Sequence, residues 1–239
     1  MVKHGKRYNS ATTLVDRESE YMVNDAVIKV KEVSTSKFDE SIELHIRTSA
    51  DPRHADQQVR GVASLPNGTG KTVKIAVFAQ GEGISIAQTA GADYIGDDDL
   101  IKKIEGGWSE FDVSIATPDM MGKVSKLGKV LGRKGLMPNP KTGTVVAPED
   151  IERAIGDARK GRVEFKLDKT SIIHLVVGKA SFNENQLVEN ISTVMDHIVR
   201  ARPPGVKGEF IQSAYLTSSM GPSVPLNVSA LSELKIDQL

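Results

Sequence analysis

The chain contains no cysteine, one tryptophan and only 5% aromatic residues. Without cysteine there is no disulfide, no thiolate metal ligand and no thiol nucleophile, which accords with a reducing compartment. The five histidines, His4, His45, His54, His174 and His197, lack the paired spacing that sets two imidazoles on one metal. No stretch approaches the roughly 18 consecutive apolar residues of a membrane helix. The N-terminal "MVKHGKRYNS" is basic but has no apolar core of a secretion signal. The expectation is a cytoplasmic protein with no membrane partner and no metal.

Net charge is absent too: 31 basic residues balance 31 acidic ones. A neutral total argues against a bulk polyelectrolyte partner, yet its distribution is uneven. Between Met120 and Pro148 there is no acidic residue, while Lys123, Lys126, Lys129, Arg133, Lys134 and Lys141 supply six positive charges. Within this run, "LGRKGLMPNPKTGT" at 131–144 carries the glycines and prolines of a loop.

What remains is ordinary globular material. The 239 residues, 39% of them hydrophobic, suffice for one large or two ordinary domains. Residues 12–33 carry helix formers. "SIELHIRTS" then alternates Ile42, Leu44 and Ile46 against Glu43, His45 and Arg47, as a half-buried strand does. "VKIAVFAQG" is apolar almost throughout, the pattern of a strand covered on both faces in a parallel sheet. A helix near 82–90, the short "ADYIG", the helix "DDDLIKKIEGG", the strand "DVSIAT" and a helix opening at Pro118 alternate after it. Residues 67–159 therefore read as an inserted α/β unit with a mainly parallel sheet. From Gly161 the style returns to that of the N-terminal flank. "RVEFKLDK" and "IIHLVV" are strands, 184–200 is an amphipathic helix with Leu187, Val188, Ile191, Val194, Met195, Ile198 and Val199 on one face, and "GEFIQSAYLTS" is a strand. The expected architecture is a discontinuous α+β domain of residues 1–66 and 160–239 around that insertion, joined by two chain crossings.

Chemical motifs are few. "GTGKT" at 68–72 ends like a phosphate-binding loop but has Leu65 where the first glycine is needed, and a strand follows where a helix is required. "DDD" at 97–99 suits the start of a helix without any ion. No nucleophile elbow or spaced catalytic set is present, so neither an enzyme nor a cofactor is expected. In "SKFDES" at 36–41, Phe38 stands between Lys37 and the carboxylates Asp39 and Glu40. Such a ring either stacks on a base beside a phosphate-binding cation or packs under the sheet; the residues alone leave both open. "LDKT" at 167–170 and "TSSMGPS" at 217–223 add hydroxyls and a methionine at strand ends. A small-molecule or nucleotide-binding α/β module remains the competing class.

"GRKGLMPNPKTGTV" closely resembles the signature of the family of large-subunit ribosomal protein one, the stalk protein beside the exit tRNA site. "SKFDESIELHIRTSADPRHADQQVRGVASLPNGTGK", "AGADYIG", "GWSEFDVSIATPDMM", "GRVEFKLDKT", "VGKASF" and "YLTSSMGPSVPLN" are similar to it as well, in order from about Tyr8 to Asn227. The resemblance implies a discontinuous α+β domain carrying both termini, with a Rossmann-like α/β insertion. It implies binding to the large-subunit rRNA of the mobile stalk, assistance to deacylated tRNA leaving the exit site, and repression of the protein's own operon mRNA, by a monomer within the ribosome. Matching segments place the rRNA surface on Lys37, Phe38, Glu40, Ser41, Asp168, Lys169, Thr170, Ser213, Ser219, Met220 and Gly221. Ser41 and Ser219 stand where threonine is common in the family, keeping the hydroxyl and losing the methyl. The acid-poor run, with Lys123, Lys126, Arg133, Lys134 and Lys141, is expected to give a looser contact to tRNA or neighbouring rRNA. The tail "VSALSELKIDQL" runs past the matching region.

Overall fold

A computed structural model describes residues 4–233, without the side chains of 141, 232 and 233. The end of the tail and the Lys141 side chain lie outside the described residues. In chain order the first elements are α1 (Lys6–Thr12), α2 (Val23–Val33), β1 (Ser41–Thr48) and β2 (Arg60–Ser64). Then come β3 (Ile75–Phe78), α3 (Glu82–Thr89), β4 (Tyr94–Gly96), α4 (Asp98–Glu105), β5 (Val113–Ala116), α5 (Pro118–Val124), α6 (Gly128–Lys134) and α7 (Ile151–Arg159). The chain closes with β6 (Arg162–Lys166), β7 (Ile172–Lys179), α8 (Glu184–Arg200), β8 (Ile211–Ser218), β9 (Val224–Leu226) and α9 (Val228–Glu233). Two compact units result: one runs up to Gly70 and resumes at Arg162, the other is Lys71–Gly161.

The first unit is built on an antiparallel sheet of order β7-β1-β8-β9. Alternation along β1 sends Ile42, Leu44 and Ile46 to one face, fully buried, with Ile173, Leu175 and Val177 of β7 and Ala214 and Leu216 of β8. Helix α2 covers this face through Ala26, Val27, Val30 and Val33, and α8 through Leu187, Ile191, Val194, Met195 and Ile198. Each such aliphatic side chain contributes about 1.5–3 kcal/mol by leaving water. Val199 does not share that burial; it is 44% exposed, because it falls at the edge of the apolar stripe. The α8 start is set by Gln186, whose side chain accepts from the Asn183 N–H at 3.0 Å, half of a capping box.

The stretch 12–33, read from composition as helix formers, holds a helix only from Val23; the earlier helix α1 ends at Thr12. Residues between them include Asp16, whose carboxylate takes the Glu18 N–H and Ser19 hydroxyl. A side chain that binds its own neighbours' donors competes with helical pairing.

"GTGKT" begins in a turn. Asn190 of α8, fully buried, donates to the Gly68 and Val177 carbonyls at 3.0 and 2.8 Å and accepts from the Asn67 N–H at 3.1 Å. Gly68 and Gly70 have φ of 68° and 72°, conformations that glycine adopts freely. The next regular element is strand β3, where a phosphate-binding loop would lead into a helix.

In the second unit β3 lies between β4 and β5, all parallel. Ala76 and Phe78 face a core with α4, α5 and α6, while Ile75, Val77 and Ala79 face another with α7 and Ala87 of α3. A strand buried on both faces needs an unbroken apolar run, which β3 supplies. The "LGRKGLMPNPKTGT" stretch is only partly loop: Leu131–Lys134 completes α6, because Leu131 is fully buried and anchors that turn. Gly135, at φ 71°, ends the helix, and the Leu136 N–H reaches back to the Leu131 carbonyl at 2.9 Å. Beyond it, Asn139 and Thr144 close a tight loop, and Val145 bridges Ala116 beside β5.

Candidate nucleic-acid interface

The face of the four-stranded sheet opposite α2 and α8 bears polar side chains at intermediate or full exposure. Register sets them in rows: Arg47 between Ile172 and Ser213, His45 between His174 and Tyr215, Glu43 between Val176 and Thr217, and Ser41 opposite Lys179. From the Ser41 row to the Arg47 row is about 20 Å, at roughly 3.3 Å per residue.

At the first end the loop before β1 is clamped by buried and partly exposed hydrogen bonds. Glu40 is 2% exposed. Its two carboxylate oxygens accept from the Ser36 and Met220 N–H groups, each at 2.9 Å. Burial pushes this carboxyl up, but hydrogen bonds from Met220 and Ser36 outweigh it and hold the group below its usual value. Asp39 accepts from the Ser181 N–H at 3.0 Å and its hydroxyl at 2.8 Å. Ser219 Oγ accepts from the Ser41 N–H at 3.0 Å, and the Ser219 N–H returns to the Ser41 carbonyl. Lys179 Nζ donates to Ser41 Oγ at 2.8 Å. A Cβ at Gly221 would meet the buried Ser218 hydroxyl, which would have to move to admit a side chain there.

On this rigid frame Phe38 and Met220 are 56% and 53% exposed. Phe38 therefore does not pack under the sheet, one of the two placements that the residues alone left open. Lys37 beside it is exposed as well. An exposed ring, an exposed thioether and a cation on a fixed loop offer stacking and phosphate contact together.

At the other end, Asp168 organises a turn. Its carboxylate accepts from the Thr170 N–H at 2.7 Å, the Thr170 hydroxyl at 2.6 Å and the Ile172 N–H at 2.8 Å. Burial pushes the carboxyl up; these bonds, with His174 nearby, outweigh it and hold it at about 2. Lys169 is exposed at the tip. Ser213 sits opposite Arg47, one strand over. Lys37, Phe38, Glu40, Ser41, Ser219, Met220 and Gly221 thus gather at one end of the open face, and Asp168, Lys169, Thr170 and Ser213 at the other.

Between them lie residues that the sequence reading did not single out. His45 and His174 face each other with Nδ1 atoms 2.8 Å apart, and His45 Nε2 is 3.1 Å from the Thr217 hydroxyl. Desolvation, then the adjoining His174, push His45 below its ordinary value, against the pull of Glu43. Alternation along β1 was enough to predict that His45 points outward; only the pairing of β1 with β7 and β8 brings His174 and Tyr215 beside it.

In the second unit the acid-poor run is not wholly unpaired. Lys123 Nζ is 2.7 Å from an Asp98 carboxylate oxygen supplied by α4, and Lys134 donates to Ser109. Asp98 is held below its usual value by that hydrogen bond first. Lys126, Lys129 and Arg133 are exposed. Asp97 occupies the N-cap position of α4 without a side-chain cap bond, and Asp98 and Asp99 sit in the first turn. Where β3, β4 and β5 end, the following helices α3, α4 and α5 carry Glu82, Asp98 with Asp99, and Asp119 in their first turns. That is where a doubly wound sheet binds anionic nucleotides, and carboxylates there repel phosphate.

Residues 30–222 match the model of the ribosomal protein L1p/L10e family. The chain belongs to that family. Large ribosomal subunit protein uL1 of Dehalococcoides mccartyi is 56% identical over 234 residues, covering 98% of this chain and 99% of its own. Proteins of the same name from Thermomicrobium roseum, at 55% identity over 98% of this chain and 97% of theirs, and from Chloroflexus aggregans, at 52% over 99% and 100%, are similar along the same length. Membership in the L1p/L10e family makes this a non-enzymatic ribosomal protein. Among the described residues no helix is long and apolar enough to cross a membrane.

Proposed function

We propose that this L1 family protein is a constituent of the large ribosomal subunit in the cytoplasm, binding folded rRNA of the mobile stalk across the open sheet face of its first unit. The observation that carries the reading is convergence: segments 37–41, 168–170 and 213–221 meet at the two ends of one uncovered face, and Phe38 and Met220 stand exposed there. RNA shape is recognised by 2′-hydroxyl and phosphate contacts with stacking on a few apolar groups, which a nearly neutral protein can supply. The exposed Lys126, Lys129 and Arg133 of the second unit give a looser electrostatic contact to exit-site tRNA, assisting its release. The same sheet face represses translation by taking a similar fold in the protein's own operon mRNA.

The competing nucleotide-module reading has little support, since acidic first turns follow all three strands of the parallel sheet. Calorimetry separates the two. A stalk-RNA fragment binding tightly, with ATP and NAD giving no heat, supports the RNA reading; nucleotide binding without RNA binding overturns it.

A further inference from the structure

Beside the Asp168 turn, Arg47, Arg53 and Lys169 line one cleft of about 350 Å³. All three are exposed, and among the described residues none of these side chains has a hydrogen-bond or ion-pair partner. Two Asp-centred turns fix the loops that carry two of them. Asp51 accepts from the Arg53 N–H at 2.9 Å while its own N–H donates to Gln57 at 2.9 Å, and Asp168 holds Lys169 at the tip of its turn. Arg47 projects from β1 between them.

Two carboxylates stand near these cations, and of them only Asp51 lines the cleft. Asp168 is occupied by Thr170 and Ile172, with His174 Nε2 at 3.6 Å, and the second Asp51 oxygen faces His54 Nε2 at 4.0 Å. The cleft hydroxyls are mostly spent as well: Thr48 donates to the Ser171 carbonyl, Ser49 to Glu209 and Thr170 to Asp168. Ser171 itself is held at φ 65°, a conformation unusual for a non-glycine residue, with its carbonyl turned to accept from Thr48. Such loops spend order in advance to keep three unpaired cations around one space. Three lining cations against the one lining carboxylate of Asp51 leave the cleft net positive, so its ligand is an anion that accepts several hydrogen bonds.

We infer that the Arg47–Arg53–Lys169 cleft holds a backbone phosphate of the bound RNA, extending the interface past the Asp168 end toward the 51–54 turn. The inference rests on the rRNA-binding reading and adds to it Arg47 and Arg53, outside the segments carried over from the family. The cations serve as phosphate anchors that set register, while Phe38 and Met220 recognise the RNA surface.

The test measures affinity for a stalk-RNA fragment across a salt series, for the wild type and for Arg53→Gln, Arg47→Gln and Met220→Asp, each checked for an unchanged melting midpoint. Amide NMR shifts at Lys169 and Ser171 are followed with inorganic phosphate alone. The expectation is roughly tenfold weaker RNA binding for each arginine variant and a salt slope lower by about one, with Arg53→Lys recovering the slope. Arginine variants with wild-type affinity and slope, against a wild type that binds, overturn the inference. Phosphate shifts that vanish in those variants while RNA binding is unchanged assign the cleft to free phosphate and overturn the RNA assignment. A normal Met220→Asp variant counts against the stacking surface and leaves the arginine result to judge the cleft.

Discussion

The carboxylate of Glu40 and the N–H of Met220 lie 2.9 Å apart although 180 residues separate them in the chain. This contact ties the loop before β1 to the loop after β8, and so fixes where Phe38 and Met220 stand relative to one sheet end. Two N–H groups converge on Glu40, one on each carboxylate oxygen. Glu40→Gln replaces one acceptor by a donor, leaving the Ser36 or the Met220 amide facing an NH₂ group. The expected cost is about 1–3 kcal/mol of stability, read from denaturant unfolding. RNA affinity should fall because the loop geometry loosens, although removing a negative charge by itself favours contact with phosphate.

Asp168 gives a pH dependence with a definite sign. Its carboxyl is held at about 2 in the folded protein against an ordinary 3.8. The unfolded chain therefore binds the proton first as pH falls. The stabilisation is complete above about pH 4 and disappears as pH drops toward 2. Asp168→Asn should flatten this part of an acid titration of the melting midpoint and speed hydrogen exchange at the Thr170 and Ile172 amides.

His45 gives a second pH dependence, of the same sign. The His45 ring is withdrawn from water with its Nδ1 2.8 Å from that of His174, and both features oppose a positive charge on His45. His45 lies below its ordinary 6.5 in the folded state. The unfolded chain takes up the proton more readily, and this contribution, present above pH 6.5, is lost as pH falls below it. The wild type is expected to lose melting midpoint as pH falls below 6.5, and His45→Gln should reduce that decline.

Charge reversal in the second unit separates two roles. Lys126→Glu with Arg133→Glu should leave stalk-RNA affinity within about twofold, since these residues belong to a different unit, yet slow tRNA release on reconstituted ribosomes. Lys123→Glu is a different case. It sets two carboxylates together at the Asp98 contact, so a lower melting midpoint is expected besides any effect on tRNA.

Particular elements show how far the sequence reaches. Alternation in "SIELHIRTS" identified β1 and its outward residues, and the seven-residue apolar set of 184–200 identified α8 with only Val199 misplaced, because these patterns report burial directly. Helix α1 escaped because it buries only Ala11 and so leaves no apolar stripe to read. The membership of Arg47, His45, His174 and Tyr215 in one surface escaped for another reason. A strand's own sequence tells which face a residue occupies, whereas its neighbours on that face depend on register with strands more than a hundred residues away. The pairing of Lys123 with Asp98 was hidden likewise: an acid-poor run in sequence need not be acid-poor in space.

The central claim is that the exposed apolar pair at the Glu40 clamp belongs to an RNA-binding surface. It is tested most directly by the affinity of a stalk-RNA fragment for Phe38→Ala and Met220→Asp, with circular dichroism and melting midpoint verifying the fold. Loss of base stacking costs about 1–3 kcal/mol per aromatic contact, so Phe38→Ala should weaken binding by roughly 5- to 150-fold, and Met220→Asp, which adds a negative charge beside phosphates, by at least as much. Both variants folded and binding with wild-type affinity would contradict the account.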